Sequence, residues 1–210
     1  MDKFIVVAGN IGVGKSTLVG MLSEHLGWRP FFEPVTDNPY LADFYKDMQA
    51  WGFHSQVYFL TRRLRIHHQL LSVDGYVIQD RSVYEDAEIF AHNLYLQGAI
   101  NERDYLTYQD LYHVLCEFLP PPNLVIYLKA SVETLLGRIK TRGRDYERSI
   151  SAEYLGQLNN LYTEWIGGFN VCPILTVPSD DLDFVSKPSH LALIMEKVND
   201  MLTGKEQVSF

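Results

Sequence analysis

The chain has 210 residues, 47% hydrophobic and 21% charged, which suits one domain (1–210) able to bury a substantial core. Its formal net charge of −8 argues against a general nucleic-acid binder, which needs a broad basic surface, but allows a small basic pocket for a phosphorylated ligand. No apolar run reaches the ~18 residues of a membrane span, residues 4–8 are too short for a signal peptide, and the distant pair Cys116 and Cys172 lacks metal-ligand spacing; a reducing, cytoplasmic setting is expected, with both thiols as small core residues.

Short apolar runs alternating with longer amphipathic ones predict an α/β fold, five parallel strands flanked by helices. The first strand, 4–8, runs into Gly9-Asn10-Ile11-Gly12-Val13-Gly14-Lys15-Ser16, and a helix continues through Thr17 to about residue 26. Glycines let backbone N–H groups converge on phosphate oxygens where a side chain would block the approach, and the helix adds its positive N-terminal dipole. Lys15 would reach the β- and γ-phosphates and the Ser16 hydroxyl would ligate Mg2+. The loop therefore predicts an ATP-type donor with Mg2+ and leaves the acceptor open.

A second strand around 31–33 is ended by Pro34, with Glu33 at its mouth. A carboxylate there can orient an acceptor hydroxyl and take its proton, whereas it would repel an acceptor that is already a phosphate. The plainer reading is a solvated strand-end acid. Helices over 39–48 and 53–71 precede a third strand, 76–79, which leads into Gln79-Asp80-Arg81-Ser82. Asp80 is placed either to bind Mg2+ or to cap the next helix, and Arg81 to pair with a phosphate or to hold Glu33.

Helices over 83–96 and 102–118 carry Tyr95, Tyr105, Tyr108, Leu111 and Tyr112, a stripe that suits either a core or a subunit interface. Pro120-Pro121-Pro122 then stops the chain before a fourth strand, 124–128. In the helix over 132–142, Arg138 and Arg142 share a face; Gly143 breaks it and Arg144 follows. Three guanidinium groups there suit the spread charge of a transferring phosphoryl group, forming an arginine lid over about 138–150, or else serve as cations at a helix C-terminus. Helices over 152–165 and 190–202 flank a fifth strand, 174–177.

Taken in order, the glycine loop, Glu33-Pro34-Val35, Asp80-Arg81-Ser82-Val83-Tyr84-Glu85-Asp86 and Arg138-Ile139-Lys140-Thr141-Arg142-Gly143-Arg144 make the chain resemble the deoxyribonucleoside kinase family over nearly its whole length. Asn38-Pro39-Tyr40-Leu41 and Phe169-Asn170-Val171-Cys172-Pro173 are most similar to the bacterial deoxyadenosine, deoxycytidine and deoxyguanosine kinases. The resemblance implies a P-loop kinase fold, nucleotide salvage and a homodimer, with ATP, Mg2+ and a deoxynucleoside as the small-molecule partners. It implies Glu33 as general base on the 5'-hydroxyl, steadied by Arg81, and Asp80 beside Ser16 as the metal ligands. Tyr45 and Glu147 would hold the sugar 3'-hydroxyl, Phe44 would lie beside them, Gln56 would bond the base edge, and Phe90 would stack on the base. Arg138, Arg142 and Arg144 would close over the ATP phosphates, and Asp183-Phe184 would meet the adenine of ATP.

Gln56 and Arg63 are seven apart on one expected helix, and Asp86 and Phe90 four apart on another, so each pair shares a face. The charged pair Arg63–Asp86 resembles family members that accept purines or cytosine rather than thymidine, although a structural bridge between two helices would look the same. Deoxyadenosine is the expected acceptor, with deoxycytidine and deoxyguanosine close behind. A monophosphate kinase resembling thymidylate kinase is the nearest rival; that family usually has Arg where this chain has Phe32. A non-catalytic P-loop switch would need neither Glu33 nor the lid arginines.

Overall fold

The structure, a computed structural model, describes residues 3–32, 38–204 and 210. Strands β1 (Lys3–Gly9), β2 (Arg29–Phe31), β3 (Tyr76–Asp80), β4 (Leu124–Lys129) and β5 (Ile174–Pro178) form one five-stranded sheet in the order β2-β3-β1-β4-β5. Every pairing is parallel, as the alternation of apolar runs and helices predicts. The centre of the sheet is β1, where Ile5, Val6, Val7 and Ala8 have no exposed surface; a strand covered on both faces reads as a continuous apolar run.

On one face, Ile5 and Val7 pack with Leu18 and Leu22 of α1 (Lys15–Leu26) and with Leu155, Leu158 and Tyr162 of α8 (Ala152–Gly168). On the other, Phe4, Val6 and Ala8 meet Leu70 at the end of α3 (Met48–Leu70). A third apolar cluster joins α2 (Leu41–Lys46) and α3 to Tyr105, Tyr108 and Tyr112 of α6 (Glu102–Phe118). The tyrosine stripe is thus largely core, whereas Leu106, Leu111, Val114 and Phe118 on the same helix are exposed.

Several boundaries differ from expectation. The helix expected over 39–48 is confined to α2, and the one expected from residue 53 begins at Met48. Asp47 leaves helical geometry (φ −146°, ψ 88°), and its carboxylate accepts the Ala50 N–H at 3.0 Å to cap α3. The expected 83–96 helix is three pieces: α4 (Val83–Glu85), a π-helical segment (Asp86–Ala91) and α5 (His92–Leu96). The remaining helices are α7 (Val132–Arg142), closed by Gly143 as expected, and α9 (Pro188–Leu202), with a 3-10 turn at Asp145–Glu147. Cys116 and Cys172 are free but half-buried rather than core, and burial pushes the Cys172 thiol up to about 11. Among the described residues, no helix is long and apolar enough to cross a membrane.

Candidate active site

A cavity of about 1040 Å3 opens where the carboxyl ends of β1 and β3 lie side by side, the usual ligand position in an open parallel sheet. Gly12 to Thr17 line one part of it; Phe44, Tyr45, Gln56, Asp86, Phe90 and Glu147 line another.

At the loop, Gly9 holds φ 143° and Gly14 φ 108°, both awkward for any residue with a side chain. A Cβ on Gly9 would lie 2.6 Å from the Leu128 carbonyl oxygen, so this glycine is required by contact with the neighbouring strand rather than by room for a phosphate. Gly14 precedes α1 with no side-chain cap, leaving the first-turn N–H groups to an anion. Lys15 Nζ folds back onto the loop, 2.8 Å from the Gly9 carbonyl and 3.0 Å from that of Asn10. The Asn10 amide donates to the Leu155 carbonyl at 3.0 Å and to Asn159 Oδ1 at 2.8 Å, tying the loop to α8. Asn10 therefore anchors the loop from behind, with Ile11 and Val13 beside it.

Ser16 Oγ donates to Asp80 Oδ2 at 2.5 Å, and Asp80 Oδ1 is buried without a hydrogen-bond partner among the described residues. The helix-cap alternative for Asp80 is settled by its neighbour. Ser82 Oγ accepts the Glu85 N–H at 3.4 Å, while Glu85 Oε2 accepts the Ser82 N–H at 2.8 Å, a reciprocal capping box. A hydroxyl and a carboxylate with a spare oxygen fit Mg2+, which keeps several waters and takes further oxygens from a phosphate.

Arg81 adopts a left-handed backbone (φ 66°), the one non-glycine among the described residues to do so, and its N–H donates to the Val7 carbonyl at 3.0 Å. Its guanidinium lies over the Phe90 ring, 4.1 Å from the centroid. Phe90 is 7% exposed and packs in the main core, with an edge on the cavity.

Gln56 also lines the cavity while largely buried. Arg63 does not line it. Fully enclosed, it donates through Nε to Asp86 Oδ2 at 2.9 Å, through Nη2 to Oδ1 at 3.3 Å, and through Nη1 to the Asp80 carbonyl at 3.0 Å. Arg63 is therefore a support that fixes Asp86, which does face the cavity. Asp86 and Phe90 both lie in the π-helical segment, where positions four apart point nearly the same way, as they would in an α-helix.

The three lid arginines do not act together here. Arg138 donates to the Val13 carbonyl at 2.7 Å and to that of Ser179 at 2.8 Å, bracing the phosphate loop against the turn after β5. Arg142 bonds Glu147 Oε2 through Nε (3.0 Å) and Nη2 (2.6 Å), and Arg144 reaches Oε1 at 3.4 Å. Glu147, expected at the sugar, is thus 4% exposed between two arginines, with Tyr45 close enough to feel its charge. Burial, then the neighbouring Tyr154 and Glu147, drive the Tyr45 hydroxyl upward, so it remains a neutral hydrogen-bond donor. Its ring faces Phe44 edge-on (5.1 Å) and stacks on Tyr146 (6.1 Å). Asp183 accepts the Val185 and Ser186 N–H groups at 3.1 and 2.9 Å, and with Phe184 it lines the cavity next to Gly14. Glu33, Pro34 and Val35 lie outside the described residues.

The deoxynucleoside kinase family model matches residues 5–203. The chain belongs to the deoxynucleoside kinase family. It is 37% identical over 208 residues to a deoxyadenosine/deoxycytidine kinase of Bacillus subtilis (strain 168), covering 98% of this chain and 96% of that one. A deoxyguanosine kinase of Lactobacillus acidophilus is 36% identical, covering 94% and 90%. A solved deoxyadenosine kinase from M. mycoides, with the products dCMP and a flexible dCDP bound, superposes with a TM-score of 0.84 at 36% identity, covering 94% of this chain and 99% of that one. Membership of this kinase family agrees with the fold and the position of the cavity.

Two residues of the site escaped the sequence reading. Glu85 was legible as the last position of a Ser-x-x-Glu capping box, but its other contacts were not. Tyr162, which reaches the Gly9 carbonyl from α8, carries no local signal at all.

Proposed function

We propose that this kinase transfers the γ-phosphoryl group of ATP to the 5'-hydroxyl of a deoxyribonucleoside, deoxyadenosine best, with deoxycytidine and deoxyguanosine close behind. The carrying observation is one cavity with the phosphate loop along one part and Gln56, Asp86 and Phe90 along another. Two substrates held in a shared space can be aligned for in-line transfer, so positioning supplies much of the catalysis. Phe32 stands where a thymidylate-type monophosphate kinase has an arginine for the acceptor phosphate.

In this reading the loop N–H groups and α1 hold the triphosphate, and Lys15 leaves the Gly9 and Asn10 carbonyls for the β- and γ-oxygens. Ser16 and Asp80 hold Mg2+, which when bound neutralises charge on those oxygens. Glu33 takes the proton of the 5'-hydroxyl, and Arg81 steadies that end of the acceptor. Tyr45 and Glu147 bond the sugar 3'-hydroxyl, Gln56 bonds the base edge, and Phe90 packs on the base. Arg142 and Arg144 turn from Glu147 toward the phosphates as a lid over about 138–150, with Arg138 already seated on the loop. Asp183-Phe184 borders the donor base.

The chain acts as a single domain in nucleotide salvage in the cytoplasm, a setting that suits two free thiols. It works as a homodimer through the exposed Leu106, Val114 and Phe118 on α6. Purified protein given ATP, Mg2+ and either deoxyadenosine or deoxyadenosine monophosphate should phosphorylate only the nucleoside. Glu33→Gln should lower that turnover by ~10²-fold or more with nucleoside affinity retained. Phosphorylation of the monophosphate alone would replace this reading with the rival one.

A further inference from the structure

Glu85 has no exposed surface, yet it faces polar groups from three parts of the fold. Its Oε2 accepts the Ser82 N–H at 2.8 Å, with Ser82 Oγ 3.3 Å away. That much is helix capping. Its Oε1 does something capping does not require: it accepts the Gly9 N–H at 3.1 Å, across from β1, and lies 2.8 Å from the Tyr162 hydroxyl of α8. The Arg81 guanidinium stands 3.9 Å from the same oxygen.

The Gly9 peptide is therefore gripped on both sides. Its carbonyl receives Lys15 Nζ and the Tyr162 hydroxyl, each at 2.8 Å. One hydroxyl carries one proton, so Tyr162 can serve either the Gly9 carbonyl or Glu85 at a time. While Lys15 occupies the carbonyl, that proton is free for Glu85. Once Lys15 moves to a triphosphate, the same proton can turn to the carbonyl and keep a buried acceptor satisfied.

We propose that Glu85 is a positioning residue for phosphoryl transfer, fixing the first peptide of the donor loop against the Asp80-Arg81 turn through Gly9, Ser82 and Tyr162. The proposal rests on the kinase reading above. Only a carboxylate suits the place. The Gly9 and Ser82 N–H groups are obligate donors on opposite oxygens, so a glutamine in either amide orientation sets its own N–H2 against one of them. Burial pushes the Glu85 carboxyl up, while the Arg81 and Lys15 charges pull it back.

Glu85→Gln keeps shape and volume and is the decisive variant. ATP–Mg2+ binding is measured by calorimetry without acceptor, and steady-state kinetics are measured for both substrates. The expected result is a Kd and KM for ATP about 10-fold higher and a lower kcat, with the deoxyadenosine KM within about twofold of wild type. Tyr162→Phe should move the same parameters less, and the double variant should be no worse than Glu85→Gln, as for residues acting as one unit. A role in folding alone would lower the melting temperature and the active fraction but leave both KM values and the ATP Kd unchanged, which would overturn the proposal. Should wild type phosphorylate no deoxynucleoside while Glu85→Gln still weakens ATP binding, the functional reading fails and this inference stands.

Discussion

The proposed donor end of the cavity is lined by one consecutive run, Ile11 to Thr17, whereas the proposed acceptor end takes side chains from α2, α3, the π-helical segment and the 3-10 turn. The donor grip is held from behind by Asn10, Arg138, Tyr162 and Glu85. The proposed acceptor grip would depend on Asp86, which a fully buried Arg63 holds in place. A backbone cradle recognises what all nucleoside triphosphates share, while side chains on separate helices are free to differ between family members.

The sharpest division of labour should appear with Lys15→Met. Turnover should fall by ~10³-fold, because a cation at the transferring phosphate is lost, while deoxyadenosine affinity by calorimetry stays within about twofold. An equal loss in affinity would mean the two ends are not separable.

Next in size is Arg63→Met. It removes the buried guanidinium that pairs with the Asp86 carboxylate, which should cost about 3–5 kcal/mol in denaturant unfolding. Replacing both partners, Arg63→Met with Asp86→Leu, should return much of that stability but not the preference for deoxyadenosine over thymidine. If the double variant keeps its preference, the pair is a structural bridge and the acceptor end is read elsewhere.

The smallest effect lies outside both ends. His67, on the far side of the sheet against Phe4, has its pKa lowered to about 4 by burial, only partly offset by its hydrogen bond to Pro120. The unfolded chain therefore binds this proton more readily between about pH 6.5 and 4, and stability falls as pH drops through that window. His67→Leu should remove on the order of 2 kcal/mol of that acid sensitivity, read from urea midpoints at pH 6.5 and 4.5, without changing either KM at pH 7.

The contrast between the two ends also explains what was legible in advance. The glycine loop, the five parallel strands and the break at Gly143 follow from local patterns of strand, turn and helix, and they stand where expected. The break between α2 and α3 was expected at 49–52 but falls at Asp47, because the helical pattern of Leu-Ala-Asp-Phe-Tyr-Lys runs on past it; only the capping geometry of Asp47 fixes the position. The π-helical turn was missed because a spacing of four reads the same in an α-helix. Arg63 was placed at the base by resemblance, and its enclosure behind Asp86 is a matter of depth, which spacing does not encode. The lid arginines read as a unit from proximity in sequence, yet Arg138 and the pair Arg142 and Arg144 have different partners.

An acceptor end built from Gln56, Phe90 and an Arg63-supported Asp86 should admit adenine and cytosine and disfavour thymine. Deoxyadenosine, deoxycytidine, deoxyguanosine and thymidine, each supplied with ATP and Mg2+, measure it directly as four values of kcat/KM. Deoxyadenosine should be highest, deoxycytidine and deoxyguanosine next, and thymidine last. A higher value for thymidine than for deoxyadenosine or deoxycytidine would contradict it.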